Sequence, residues 1–338
     1  MIDHLSLANA SDEEVQISLA RNISIQNTIL AETVGEHHIF GGMLINYSHS
    51  QRPQDNLSIH HNLWYRITER LPEISCELTR NIGDDDSAET PSFCSQQPLN
   101  IELSNNLLYD VNAALTYNDN TEGLGQPEAG IFTLNLNWVN NLMSVRPDFP
   151  FGMMSGTFIT QPTNRLYFSG NHMNIYPDYA DLQIVYCCND FNLYNPSDET
   201  LAAQIQSARF DFPPITITPT EAVTDYMIAN VGAFPRDAMD RRYLEAVAAG
   251  TFSDVSREYA LEDDAFTLDF DPANPPAAPL DSDLDGMPDD WEVANNLDPQ
   301  TQDNNGTQLS EQFTGVEGYT NLEVYLNMLA DARLGENQ

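Results

Sequence analysis

The run Asp281-Ser282-Asp283-Leu284-Asp285-Gly286-Met287-Pro288-Asp289-Asp290-Trp291-Glu292 spaces carboxylates around a single glycine. That spacing is the pattern of a twelve-residue calcium loop. Side-chain oxygens come from Asp281, Asp283 and Asp285, with the Met287 carbonyl next and Asp289 acting directly or through water. Glu292 closes the sphere in bidentate fashion, and Gly286 takes the sharp turn. Calcium is a hard cation that wants six to eight oxygens, so the residue types suit the chemistry. Pro288 and a proline-rich approach, in place of an entering helix, fit a structural calcium site better than a sensor. Further on, Glu317-Gly318-Tyr319-Thr320-Asn321-Leu322-Glu323 has the second half of such a loop. Counting back from Gly318 puts Phe313, Gly315 and Val324 at ligand positions, so a helix without its own calcium is expected there.

Other reactive residue types are sparse. His60 and His61 are neighbours on an expected strand and should point to opposite faces, which excludes one shared zinc site. Cys76 and Cys94 flank an acidic insert, Asp84-Asp85-Asp86, and could close it as a disulfide in an oxidising compartment. The adjacent Cys187 and Cys188 read as buried thiols. There is no P-loop, GxSxG elbow, HExxH or CxxC. The 13 basic residues, all arginine, face 51 acidic ones for a net charge of −38. Such a surface repels nucleic acid and anionic membrane, and it suits a saline extracellular setting where charges are screened over a few ångströms. No apolar run is long enough to span a bilayer, and Met1-Ile2-Asp3-His4 lacks the pattern of a signal peptide.

The elements that position these residues follow from a repeat. Short β-rich segments end near Asn27, Asn62, Asn106, Asn141 and Asn171, which lie 35, 44, 35 and 30 residues apart. Met1 to His4 fits the same template, with His4 at the asparagine position. Alternation puts Ile23 and Ile25, Leu57 and Ile59, and Leu134 and Leu136 on one face. A right-handed parallel β-helix accounts for this: each coil supplies a few strands, and inserts bulge at the corners. An asparagine at the corner tolerates left-handed backbone and can hydrogen-bond to the asparagine of the next coil. The expected organisation is a β-helix over 1–190, then a helical strap over 191–271. A proline-rich linker over 272–280 leads to an EF-hand-like calcium module over 281–338. Within the strap, one helix starts near Pro219 and runs toward Gly232. A second spans Asp237 to Ala249, with Gly250 as its stop.

Three stretches together carry a family resemblance. They are Ile2-Asp3-His4-Leu5-Ser6 with Ser11-Asp12-Glu13-Glu14-Val15, then Arg21 to Glu32, then Ser58-Ile59-His60-His61-Asn62-Leu63 with Glu69-Arg70-Leu71-Pro72. They resemble family 1 pectate lyases. Gly232-Ala233-Phe234-Pro235-Arg236-Asp237 and the terminal calcium loop resemble a secreted subgroup of that family, here without its N-terminal coils. The resemblance implies a monomeric, secreted enzyme that uses Ca2+ to cleave an acidic polysaccharide such as polygalacturonate by β-elimination. It implies that Arg70, first in the family's R-x-P-R signature, is the base. His61 and Glu73 become the substrate-binding candidates, Glu73 standing where the family has its second arginine. Asp12 becomes a metal ligand from the family's i, i+4 aspartate pair, whose other member is Gln16 here. The family's lysine has no counterpart, and His37-His38 occupies that stretch. A non-catalytic β-helix that binds acidic glycans or serves surface adhesion is the competing expectation.

Overall fold

The computed structural model describes residues 1–33, 41–46, 48, 52–75, 97–118, 133–160, 162–187, 192–193, 204–234, 236–253 and 277–336. The chain divides into two compact units, Met1–Thr267 and Leu268–Gln338. The calls on His37-His38, the acidic insert and the Cys76, Cys94 and Cys188 thiols lie outside the described residues, as does the Cys187 side chain.

In the first unit, three parallel sheets stack coil on coil, and the fold is a parallel β-helix. The first sheet runs Ile2–Asp3, Arg21–Gln26, Asp55–His60, Pro98–Ser104, Thr133–Val139 and Arg165–Ser169. The second runs Ser6–Ala8, Ile29–Ala31, Leu63–Tyr65, Leu107–Tyr109, Leu142–Ser144 and His172–Met173. The third is shorter: Val15–Ser18, Met43–Asn46, Glu73–Ser75 and Thr116–Asn118. Alternation sets the register. Ile25, Ile59, Leu103, Trp138 and Phe168 fall in one column, and Ile23, Leu57, Ile101, Leu136 and Leu166 in the next. The second sheet adds Leu30, Trp64, Leu108 and Met143 to the interior, and the third adds Ile17, Ile45 and Ile74. A one-residue slip would turn every one of these side chains to the outside, so burial itself fixes the register.

The corner between the first two sheets divides between two residues the work expected of one. His4, Asn27, His61, Asn105 and Asn140 take the left-handed conformation, with φ between 48° and 56°. The next residue in each of the later coils carries the ladder. The backbone N–H and Nδ2 of Asn62 donate to Asn106 Oδ1, those of Asn106 to Asn141 Oδ1, and those of Asn141 to Asn171 Oδ1, all at 2.9–3.2 Å. Asp181 Oδ1 terminates the row beyond Asn171. At the other end the ladder residue is Thr28, not Asn27, and its N–H donates to Asn62 Oδ1 at 3.0 Å. Each ladder amide also donates to a main-chain carbonyl of the coil before, so these buried groups are satisfied.

The outer face of the second sheet is apolar and covered. Val223, Met227 and Val231, in and just after the helix Val223–Asn230, pack on it together with Met239, Tyr243, Leu244 and Val247 of the helix Ala238–Ala249. Their partners on the coil are Ile29, Ala31, Leu63, Tyr65, Leu107 and Tyr109. Asp237 caps the second helix by accepting from Asp240 N, and Gly250 ends it at φ 64°. Gly232 has φ 87°, and a Cβ there would meet Ile29 Cδ1 at 2.6 Å, so the chain turns between the helices directly against the sheet.

In the second unit, Asp289–Ala294, Ser310–Thr314 and Asn321–Glu336 are helical. Met287, Leu297, Leu309 and Val324 form its small core. Thr320 and Glu323 start the last helix as a capping box: Thr320 N donates to Glu323 Oε2, and Glu323 N donates to Thr320 Oγ1.

Candidate functional site

Arg70 stands at the foot of the third sheet, at φ 58°, three residues before Glu73 opens its strand. Its turn is fixed from below: Gly42 N and Met43 N donate to the carbonyls of Glu69 and Arg70 at 3.0 and 2.8 Å. A Cβ on Gly41 would lie 2.2 Å from the Glu69 oxygen, so only glycine lets the neighbouring coil approach this closely. The Arg70 guanidinium pairs with Glu13, and its Nε lies 3.2 Å from Glu73 Oε2. All three side chains are largely but not fully buried, at 10–15% exposure. Register puts Gln16, Leu44 and Glu73 in one column beside them. Asn46 is buried nearby and accepts from Gln16 Nε2 and Ser18 Oγ. The wall therefore offers one cation held between two carboxylates on a rigid sheet edge.

The predicted residues come together only in part. Glu73 and Arg70 meet. Asp12 is exposed, and Glu13, one residue on, is the carboxylate that reaches Arg70. Glu14 lies beside Glu13; burial pushes its carboxyl up to about 7 although Ala10 N donates to it. His61 sits at the corner of the first and second sheets, away from the third, with its Nε2 3.0 Å from Thr218 Oγ1 and its ring on Tyr226. The two histidines do not point apart. His60 and His61 bring their Nδ1 atoms to 2.9 Å, because His61 has left the strand for left-handed backbone, which turns its Cβ back toward His60. Both imidazoles are held far below their ordinary value by burial.

A second cluster lies in the C-terminal unit. Carboxylate oxygens of Asp281, Asp283 and Asp285 fall within 4.8 Å of one another, and so do those of Asp285, Glu292 and Asp303. Glu292 is fully buried, and burial among Asp283, Asp285, Asp303 and Asp289 raises its carboxyl to about 7. Met287 is also fully buried. Asp289 is committed elsewhere: its two oxygens accept from Ser282 N and Ser282 Oγ, each at 2.6 Å. Asp303 was not legible, because it lies eleven residues past the loop and outside its spacing. Among the described residues, both groupings of three metal-binding side chains belong to this unit. Among the described residues, the Arg70 wall gathers no such group.

No family model matches the chain. The protein named "Probable pectate lyase C" of Aspergillus terreus is 26% identical over 340 residues, covering 97% of this chain and 65% of that protein. Its namesake in Aspergillus fumigatus is 26% identical over 334 residues with the same coverage. That of Emericella nidulans is 25% identical over 340 residues, covering 97% and 64%. The chain thus spans about 65% of the length of the curated relatives it matches. Among solved structures, an arginine-to-lysine mutant of Bacillus subtilis pectate lyase matches over 69% of this chain and 50% of its own, at 13% identity and a TM-score of 0.34. The chain is thus similar over nearly its whole length to proteins named pectate lyase, and it is built of stacked parallel sheets.

Proposed function

We propose that the chain is a secreted polysaccharide lyase that cleaves polygalacturonate-type polymers by calcium-dependent β-elimination at the Arg70 wall. The observation that carries the reading is Arg70 at the edge of the third sheet, clamped by Glu13 and Glu73, in a chain similar to pectate lyases over 97% of its length. Arg70 is the base, at a fixed place on the sheet edge. It takes the proton from the carbon that bears the uronate carboxylate. Those electrons form the new double bond, the adjacent C4–O bond breaks, and the departing oxygen gains a proton. Arg70 acts from its neutral guanidine form, which Glu73 Oε2, 3.2 Å from Nε, orients on the strand side. Glu13 holds the other side of the group and fixes its orientation. Calcium, when bound with the uronate, neutralises charge that a protein of net charge −38 would otherwise repel.

The test is the ultraviolet absorbance of unsaturated product from polygalacturonate in calcium. Arg70→Ala should lower the rate by about 10²-fold or more, and chelator should lower it as well. Cleavage that survives Arg70→Ala would remove Arg70 as the base. Polymer that binds and stays intact would make the chain a glycan-binding β-helix instead.

A further inference from the structure

The sequence places the ligands of the terminal calcium loop within residues 281–292, with Asp289 among them. The structure does not. Asp289 turns both oxygens to Ser282 and belongs to neither grouping of carboxylates whose oxygens lie within 4.8 Å of one another. In its place a carboxylate arrives from outside: Asp303 joins Asp285 and Glu292 with oxygens within 4.8 Å of one another. Glu292 supplies the independent observation, because it is fully buried and neither of its carboxylate oxygens has a hydrogen-bond partner. A buried carboxylate left bare beside those of Asp285 and Asp303 is costly unless a cation sits among them. A calcium–oxygen bond of about 2.3–2.6 Å puts opposite ligands about 4.6–5.2 Å apart, so oxygens within 4.8 Å of one another can share one ion.

Taking the loop to be a calcium site, we propose that one calcium ion is bound by Asp281, Asp283, Asp285, Glu292 and Asp303, with the Met287 carbonyl, and that Asp289 is not a ligand. The ion then ties the loop to the last helix. Asp303 N donates to Asp285 Oδ2, the Asp303 carbonyl accepts from Asn321 Nδ2, and Asn321 N donates to the Gly306 carbonyl, all at the start of Asn321–Glu336. Calcium thereby orders a helix that contributes no ligand of its own.

Hydrogen exchange of the full chain, read on peptides covering 281–292 and 321–336 in calcium and in chelator, tests this. In the parent chain both peptides should exchange at least about tenfold more slowly in calcium. Asp289→Asn should keep that protection. Asp303→Asn should lose it and should need about tenfold or more calcium to regain it. In chelator, Asp303→Asn should be at least as protected as the parent, since it removes one of several repelling charges. Three results would overturn the assignment: unaltered calcium protection in Asp303→Asn, loss in Asp289→Asn as complete as in Asp303→Asn, or Asp303→Asn less protected than the parent in chelator. No calcium effect on either peptide of the parent would remove the site itself. Product formation from polygalacturonate in the same samples judges the lyase reading separately.

Discussion

Glu32 is 6% exposed and carries two arginines: Arg66 Nη1 donates to Oε1, and Arg242 donates to both oxygens, each bond at 2.8 Å. Arg66 belongs to the coil and Arg242 to the covering helix, so one carboxylate pins the strap to the sheet. Removing its charge takes from two guanidinium groups the buried carboxylate they share. Glu32→Gln should cost about 3–5 kcal/mol in urea unfolding, whereas an exposed acidic position such as Asp12 should change little on the same substitution. The grouping of Asp281, Asp283 and Asp285 was legible at this scale because chain spacing alone brings them together. Glu13 and Asp303 were not. Both reach their partners through turns outside any periodic element, where a one-residue difference decides which carboxylate points inward.

At the scale of elements, the asparagine row stands between the first and second sheets. Asn106 receives two bonds on Oδ1 from Asn62 and gives three, one of them to Ile59 O, in a site from which water is excluded. Asn106→Ala leaves several of these buried groups without partners and should destabilise by about 1–3 kcal/mol or more; Asn100→Ala, on the half-buried outer face, should cost less in the same unfolding series. The row's existence could be read from recurring asparagines. Its register could not, because left-handed backbone and ladder bonding were both assigned to one residue when adjacent residues share them.

The same corner predicts a pH effect. His60 and His61 are buried neutral, with Glu102, Asp3 and Arg209 acting on His60, and Tyr226 and Thr218 against His61. Their folded values lie below the unfolded value of about 6.5, so the unfolded chain takes up protons first as pH falls. Stability from this pair is complete above about 6.5 and is lost progressively below it. Asp240, raised by burial to about 6, and Glu14, raised to about 7, act in the opposite sense. The clean comparison is therefore His61→Asn, a residue that already occupies this left-handed position at Asn105 and Asn140. Its loss of stability between about pH 6.5 and pH 4 should be shallower than the parent's. Equal slopes would show that the pair does not titrate across unfolding.

At the scale of the whole molecule, net charge of −38 works against compaction. Sodium chloride raised from about 0.01 M to about 1 M shortens the Debye length from about 30 Å to about 3 Å, so the melting temperature of the first unit should rise across that range. A melting temperature independent of salt would place the charges too far apart to matter. The stacked coils were legible from alternation and repeat spacing, since the interior columns leave each strand one register. The division into Met1–Thr267 and Leu268–Gln338 follows contacts that composition only hinted at through the proline-rich stretch. The central claim is elimination at the Arg70 wall, and mass analysis of the oligosaccharides released from polygalacturonate tests it most directly. Elimination there predicts fragments with an unsaturated non-reducing end, lighter by one water than hydrolysis products and absent with Arg70→Ala; fragments of full hydrolytic mass alone, or unsaturated fragments undiminished in Arg70→Ala, would contradict it.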